Sequence, residues 1–124
     1  MNDRLPTSLW VDALVRRVSL GGASAFVVSR GDRERGDVVV KVNSLDGRAA
    51  LLVPSPLMSE SRSFDWLPVP GKLVPDDEVE ELVRRRRSYD PDLWVIEIED
   101  KQARHFLTET VNSEQLAPDD RTNS

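Results

Sequence analysis

The chain has 124 residues, no cysteine and a net charge of −5, which suits one compact domain and excludes disulfides, thiol nucleophiles and cysteine-ligated zinc. No apolar run approaches the roughly 20 residues of a membrane span, and the N-terminus lacks the basic and long apolar regions of a signal peptide, so a cytoplasmic protein without a membrane contact is expected. Residues 1–50 carry eight Lys/Arg against six Asp/Glu and residues 51–124 nine against sixteen, net +2 and −7, a balance that argues against non-specific DNA binding by the whole surface.

A first helix is predicted over about Leu9 to Leu20, with Thr7 or Ser8 as its cap. Trp10 or Val11, Leu14 and Val18 recur at helical spacing and make its apolar face. Arg16 and Arg17 lie off that face, and Gly21-Gly22 offers a left-handed stop. A β-meander is expected next. "ASAFVVSR" is β-branched and aromatic, "GDRERG" is a polar turn, and "DVVVKVNS" alternates Val38, Val40 and Val42 against Val39, Lys41 and Asn43. Asp46-Gly47 suits a two-residue hairpin loop. "RAALLVP" returns as a strand that Pro54 and Pro56 end. Residues 55–63 read as a polar loop, and "FDWLPV" as a short fourth strand with Phe64 and Trp66 on one face.

"PDDEVEELVRRRRSY" opens with acids and closes with four arginines, Arg84 to Arg87, matching the helix dipole at both ends. Glu80–Arg84 and Glu81–Arg85 are expected as i,i+4 pairs worth ~0.2–0.5 kcal/mol each. "DLWVIEIED" follows as a strand, with Trp94, Ile96 and Ile98 on one face and Leu93, Val95, Glu97 and Glu99 on the other. "RHFL" offers a last short strand. From residue 108 to 124 the chain is polar and aromatic-free and reads as a disordered tail after a domain spanning 7–107.

Three constellations bear on chemistry. Glu97 and Glu99 share a strand face, and with His105 they offer hard oxygen ligands and one imidazole to a divalent cation. The four arginines, with Arg16 and Arg17 as a second patch, offer guanidinium forks to phosphate or nucleic acid; the acids on the same helix favour an ion-paired helix face instead. Trp10, Trp66 and Trp94 each sit on an apolar face, expected in the core or at a protein contact. Asp92 and Glu99–Lys101 faintly match a metal-nuclease pattern, but they lie within one strand and cannot form the hairpin that such a site needs. No nucleophile-elbow, P-loop or dinucleotide motif occurs, and no cofactor is indicated.

Taken together, "SLWVDALVRRVSLGGASAFVVSRGDRERGDVVVKVNSLDGRAALLVP", "YDPDLWVIEIED" and "RHFL" resemble an alphaproteobacterial family known only as domain of unknown function 1491, over residues 8–107. Position 29 departs, with Ser where the family pattern has Arg. The resemblance implies a cytoplasmic, single-domain bacterial protein and supplies no catalytic residue to carry over.

The expectation is a single α+β domain of order α-β-β-β-β-α-β, its sheet mainly antiparallel, with two helices packed on one face. That arrangement leaves a second sheet face for a homodimer or protein partner to cover. A protein-interaction or adaptor module without catalytic activity is the leading reading. A nucleic-acid or phosphorylated-ligand binder using the arginines comes second, and a metal-dependent hydrolase around Glu97, Glu99 and His105 third.

Overall fold

The computed structural model of the protein describes residues 5–56 and 62–112. Its elements are α1 (Thr7–Leu20), β1 (Ser24–Ser29), β2 (Val38–Asn43), β3 (Arg48–Pro54), β4 (Ser63–Leu67), β5 (Val74–Pro75), α2 (Asp76–Tyr89), β6 (Trp94–Glu99) and β7 (Thr110–Val111). The strands form one sheet in the order β1-β6-β2-β3-β4-β7, with β5 pairing the start of β3. Antiparallel pairs predominate, but β6 runs parallel to β2 and β7 parallel to β4. The α+β class and the mainly antiparallel sheet match the sequence reading.

The placement of the helices does not. They pack on opposite faces of the sheet. Val38, Val40, Val42, Trp94, Ile96 and Ile98 join Trp10, Leu14 and Val18 of α1 in one core. Val39, Val95, Ala49, Leu51 and Val53 join Val79 and Val83 of α2 in another. The alternation in β2 and β6 explains this. Both strands are wholly apolar on the α1 side and put Val39 and Val95 on the other, where Ala49, Leu51 and Val53 of β3 join them; burying each large apolar side chain stabilises by ~1.5–3 kcal/mol, so each face requires its own helix. The second face expected to await a partner is therefore covered by α2 of the chain itself over β2, β3 and β5.

The meander reading also needs correction, because β6 lies between β1 and β2. The loop joining β1 to β2 must cross the end of β6, and it does so in contact. Asp32 N–H donates to Asp92 O (3.0 Å) and Trp94 N–H to Asp37 O (2.8 Å). A Cβ on Gly31 would stand 1.9 Å from the Asp92 carbonyl oxygen and one on Gly36 2.5 Å from it. The two glycines of "GDRERG" thus permit the crossing rather than shape a hairpin turn.

Smaller differences have local causes. No side chain caps α1; the Thr7 hydroxyl instead donates to Gly36 O at 2.8 Å, tying the helix start to the crossing loop. Gly22 takes the expected left-handed conformation, φ +89°. The β2–β3 loop runs over 44–47, with positive φ at Leu45 and Gly47, and is longer than a two-residue hairpin loop. Residues 104–107 form no strand; positive φ at Ala103 and Phe106 folds this segment back so that Phe106 and Leu107 pack on the α1 core. Thr110 and Val111, which the sequence reading put in the tail, pair with Ser63 and Phe64. The rest of that expectation, residues 113–124, lies outside the described residues, as does 57–61 of the expected loop.

Candidate functional site

The arginine run occupies the last turns of α2, where basic residues suit the negative end of the helix dipole. The expected ladder of acid–arginine pairs is only partly present. Arg84 pairs with Glu81 at i,i+3, whereas Glu80 is drawn inward to Lys41. That leaves Arg85, Arg86 and Arg87 with no ion pair among the described residues. Arg85 and Arg86 line a groove of about 400 Å³ between the end of α2 and the end of the sheet. Its floor is apolar, from Pro54, Leu67, Leu82 and Leu93, and Tyr89, Asp37 and Asp90 complete its rim. A polar hollow of about 180 Å³ adjoins it through Asp37 and Asp90, with Asp32, Asp92 and Arg35 around it. Arg16 and Arg17 do not join this surface. They belong to α1, on the other side of the sheet, where Arg17 Nε–H donates to Phe106 O at 2.7 Å.

Under the start of α2 lies a polar cluster that sequence reasoning missed. Lys41 sits mid-strand in β2 with a side chain only 5% exposed, its Nζ 2.6 Å from Asp76 Oδ1, in contact with Glu80 and 3.9 Å from Glu97 Oε2. Asn43 Nδ2–H donates to the same Glu97 oxygen at 3.0 Å. Burial on its own would depress the Lys41 ammonium. Hydrogen bonds to Asp76 and Glu80 and the negative charge of Glu97 outweigh it, and the pKa is raised above 10.5. The signal in the sequence was a lysine at an inward-facing position of "VVVKVN", which needs buried acids to hold its charge.

The proposed metal set is not assembled. Glu97 faces α2 and is engaged by Asn43. His105 lies against Trp66, ring centroids 6.2 Å apart and edge-on, and Trp66 belongs to the core on the α1 side. Glu99 shares the strand face of Glu97, but no group of three His, Asp or Glu that could hold a metal occurs among the described residues. Strand alternation brought the two glutamates together, and the fold-back after β6 carried the histidine to the opposite face.

The tryptophans serve the core rather than a surface. Trp10, Trp66 and Trp94 are all buried. Trp10 Nε1–H donates to Glu109 Oε2 at 2.7 Å and Trp94 Nε1–H to Asp32 O at 2.7 Å; Trp66 Nε1 has no acceptor among the described residues. Three consecutive exposed apolar residues lie instead on β1, which sequence reading treated as an ordinary sheet strand. Phe26 is 50% exposed and Val28 51%, with Val27 also partly exposed. Among the described residues the strand is an edge, paired only with β6, and its residues 24–29 carry no charge. Phe26 lies opposite Glu97, on the face where α2 packs over β2, β3 and β5. The helix thus leaves this end of the sheet uncovered.

A last ion pair closes the turn after β6. Asp100, buried, accepts from Arg104 Nε at 2.8 Å, from Arg104 Nη2 at 3.0 Å and from the Arg104 backbone N–H at 2.9 Å. The Arg104 side-chain bonds hold the Asp100 carboxyl below its usual range against the opposing effect of burial. No helix among the described residues is long and apolar enough to cross a membrane.

Comparison with known proteins places this arrangement among others. The model of a family described as a protein of unknown function, DUF1491, matches residues 5–108. The crystal structure of a DUF1491 family protein from Caulobacter crescentus CB15 is 38% identical, with 87% of this chain and 97% of that chain covered and a TM-score of 0.75. An NMR structure of a DUF1491 family protein from the same organism gives 39% identity, coverage of 87% and 96%, and a TM-score of 0.76. The solution structure of protein Atu0922 from A. tumefaciens is 32% identical over 88% of this chain and 97% of that one, with a TM-score of 0.73. No curated protein matches.

Proposed function

The chain belongs to the DUF1491 family, whose function is unknown, and on that footing we propose that it is a small cytoplasmic bacterial protein-interaction module, an adaptor that catalyses no reaction. The observation that carries this reading is the β1 edge. An edge strand presents unpaired N–H and C=O groups, and natural proteins normally blunt such edges with charge, proline or cover. Here six residues are free of charge and proline, and three of them, Phe26, Val27 and Val28, stand exposed. Adding a strand from a partner would satisfy the backbone and bury those side chains in one step. A second copy of the chain meets both requirements. Antiparallel pairing about a two-fold axis beside Phe26 sets each Phe26 against its counterpart and each Ala25 against the partner's Val27, apolar on apolar on both faces.

The test uses light scattering after size exclusion at several protein concentrations, with wild type and a Phe26→Lys/Val28→Lys variant. Wild type is expected to approach the mass of a dimer as concentration rises, while the variant stays a monomer with an unchanged circular dichroism spectrum. A wild-type monomer that also fails to retain any strand-forming peptide, or a variant that associates as well as wild type, would overturn the reading.

A further inference from the structure

We infer that the groove beneath the last turns of α2 is a binding site for a nucleoside phosphate. Helix electrostatics explains why basic residues gather at this helix end, but not where their charge is used. Glu80 is committed to Lys41 and Glu81 to Arg84, so Arg85 and Arg86 reach the groove without an ion partner among the described residues. Paired guanidiniums present planar donor forks that fit the oxygens of a phosphate. On the rim beside them stands Tyr89, 81% exposed, a large ring held at the surface. Its face suits stacking on a base, above an apolar floor from Leu67, Leu82 and Leu93. At the far end, Asp37 and Asp90 are acceptors for the hydroxyl and amino groups that a nucleoside offers. The volume of about 400 Å³ falls within the range of small-ligand sites, ~300–1,000 Å³.

The same acids set the length of the ligand. Asp32, Asp37, Asp90 and Asp92 surround the adjoining hollow, so a further nucleotide joined through the ribose hydroxyl at that end would bring its phosphate against like charge. This favours one nucleotide over a nucleic-acid strand. Arg16 and Arg17, on the other side of the sheet, add no track for a polymer.

The experiment is an NMR titration of the isotope-labelled full chain with adenosine, guanosine, cytidine and uridine 5′-monophosphates, with adenosine, inorganic phosphate and a short oligothymidylate as separate arms. At least one nucleoside monophosphate is expected to saturate, moving the amide signals of Leu82, Tyr89, Asp90 and Leu93. Adenosine and inorganic phosphate should bind at least tenfold more weakly. An Arg85→Ala/Arg86→Ala variant should lose at least tenfold in affinity, and Tyr89→Ala should weaken the nucleotide but not inorganic phosphate. Neither variant removes a buried side chain, so the unliganded spectra should report an intact fold. Absence of saturation with all four nucleotides would overturn the site. So would shifts centred elsewhere, affinity unchanged in the double arginine variant, or tighter binding of the oligothymidylate.

Discussion

Lys41 Nζ stands 2.6 Å from Asp76 Oδ1, joining the middle of β2 to the first residue of α2. The lysine is the one charged side chain in the middle of that strand, and α2 reaches it with Asp76 and Glu80 together. The ion pair therefore fixes where the helix begins on the sheet. Replacing Lys41 by Met keeps the apolar stem and removes the charge. Breaking a buried pair by removing one partner costs about 3–5 kcal/mol, but Glu80 is 54% exposed and rehydrates while Asp76 Oδ1 is buried, so a loss near the lower end of that range in urea unfolding is expected. Because the folded-state pKa is raised, the contribution is full below 10.5 and fades as pH rises through the folded value. Wild type and Lys41→Met should converge in stability in strong alkali. An unchanged midpoint at neutral pH would show that the pair does not hold α2.

Asp100 makes the opposite pH prediction. Its carboxyl is held low by Arg104, so its contribution is present above the unfolded value of 3.8 and is lost as pH falls through the lower folded value. Asp100→Asn should destabilise by about 1.5–3 kcal/mol at neutral pH, the range for hydrogen bonds to a charged group. The gap between wild type and variant should close in acid. A gap of constant size across the titration would assign the loss to packing instead.

Gly31→Ala tests the loop crossing. The added methyl would face the Asp92 carbonyl, a backbone atom that cannot swing aside. Overpacking of this kind costs about 1–3 kcal/mol, and a drop of roughly 3–6 °C in melting temperature per kcal/mol is expected for a domain of this size. Gly22→Ala is the control. It meets no atom within 4 Å, so any loss there reflects its φ of +89° alone. Equal effects at the two sites would show that the crossing is not tight.

Phe26→Lys should leave the stability of the isolated monomer within about 0.5 kcal/mol, as for surface positions generally. Denaturant curves taken at low concentration would show this. At high concentration only wild type should gain stability, since association stabilises by mass action. Parallel curves for both proteins at every concentration would remove β1 as a contact.

Periodicity made much of this fold legible. The alternation through Val38–Val42 and Trp94–Ile98 gave the facing of both strands correctly, because apolar spacing of two is read directly from sequence. The same pattern implied two covered faces, yet a helix carries no mark of which side of a sheet it takes. Pairing partners were hidden for a similar reason. Nothing local in Ser24–Ser29 says that its neighbour is β6, about seventy residues on, and the polar "GDRERG" looks the same whether it turns a hairpin or crosses a strand. The candidate site was half visible. The arginines announced themselves, but the release of Arg85 depended on Glu80 turning to Lys41, a contact between residues 39 apart in sequence, which leaves Glu81 to Arg84.

The position of β6 has a consequence for how the chain reaches this state. β1 and β2 are made early, but each pairs through β6, which begins at Trp94. During synthesis, the first ninety or so residues can form the β2–β3–β4 ribbon and both helices, while β1 has no strand to join. Long-range pairing of this sort is slow, because loop closure precedes its reward. A nascent chain halted before Trp94 would expose "SAFVVS" and "VVVKVN" side by side in sequence with no strand between them. The interval before β6 emerges is thus when this protein is most exposed to aggregation and to capture by chaperones.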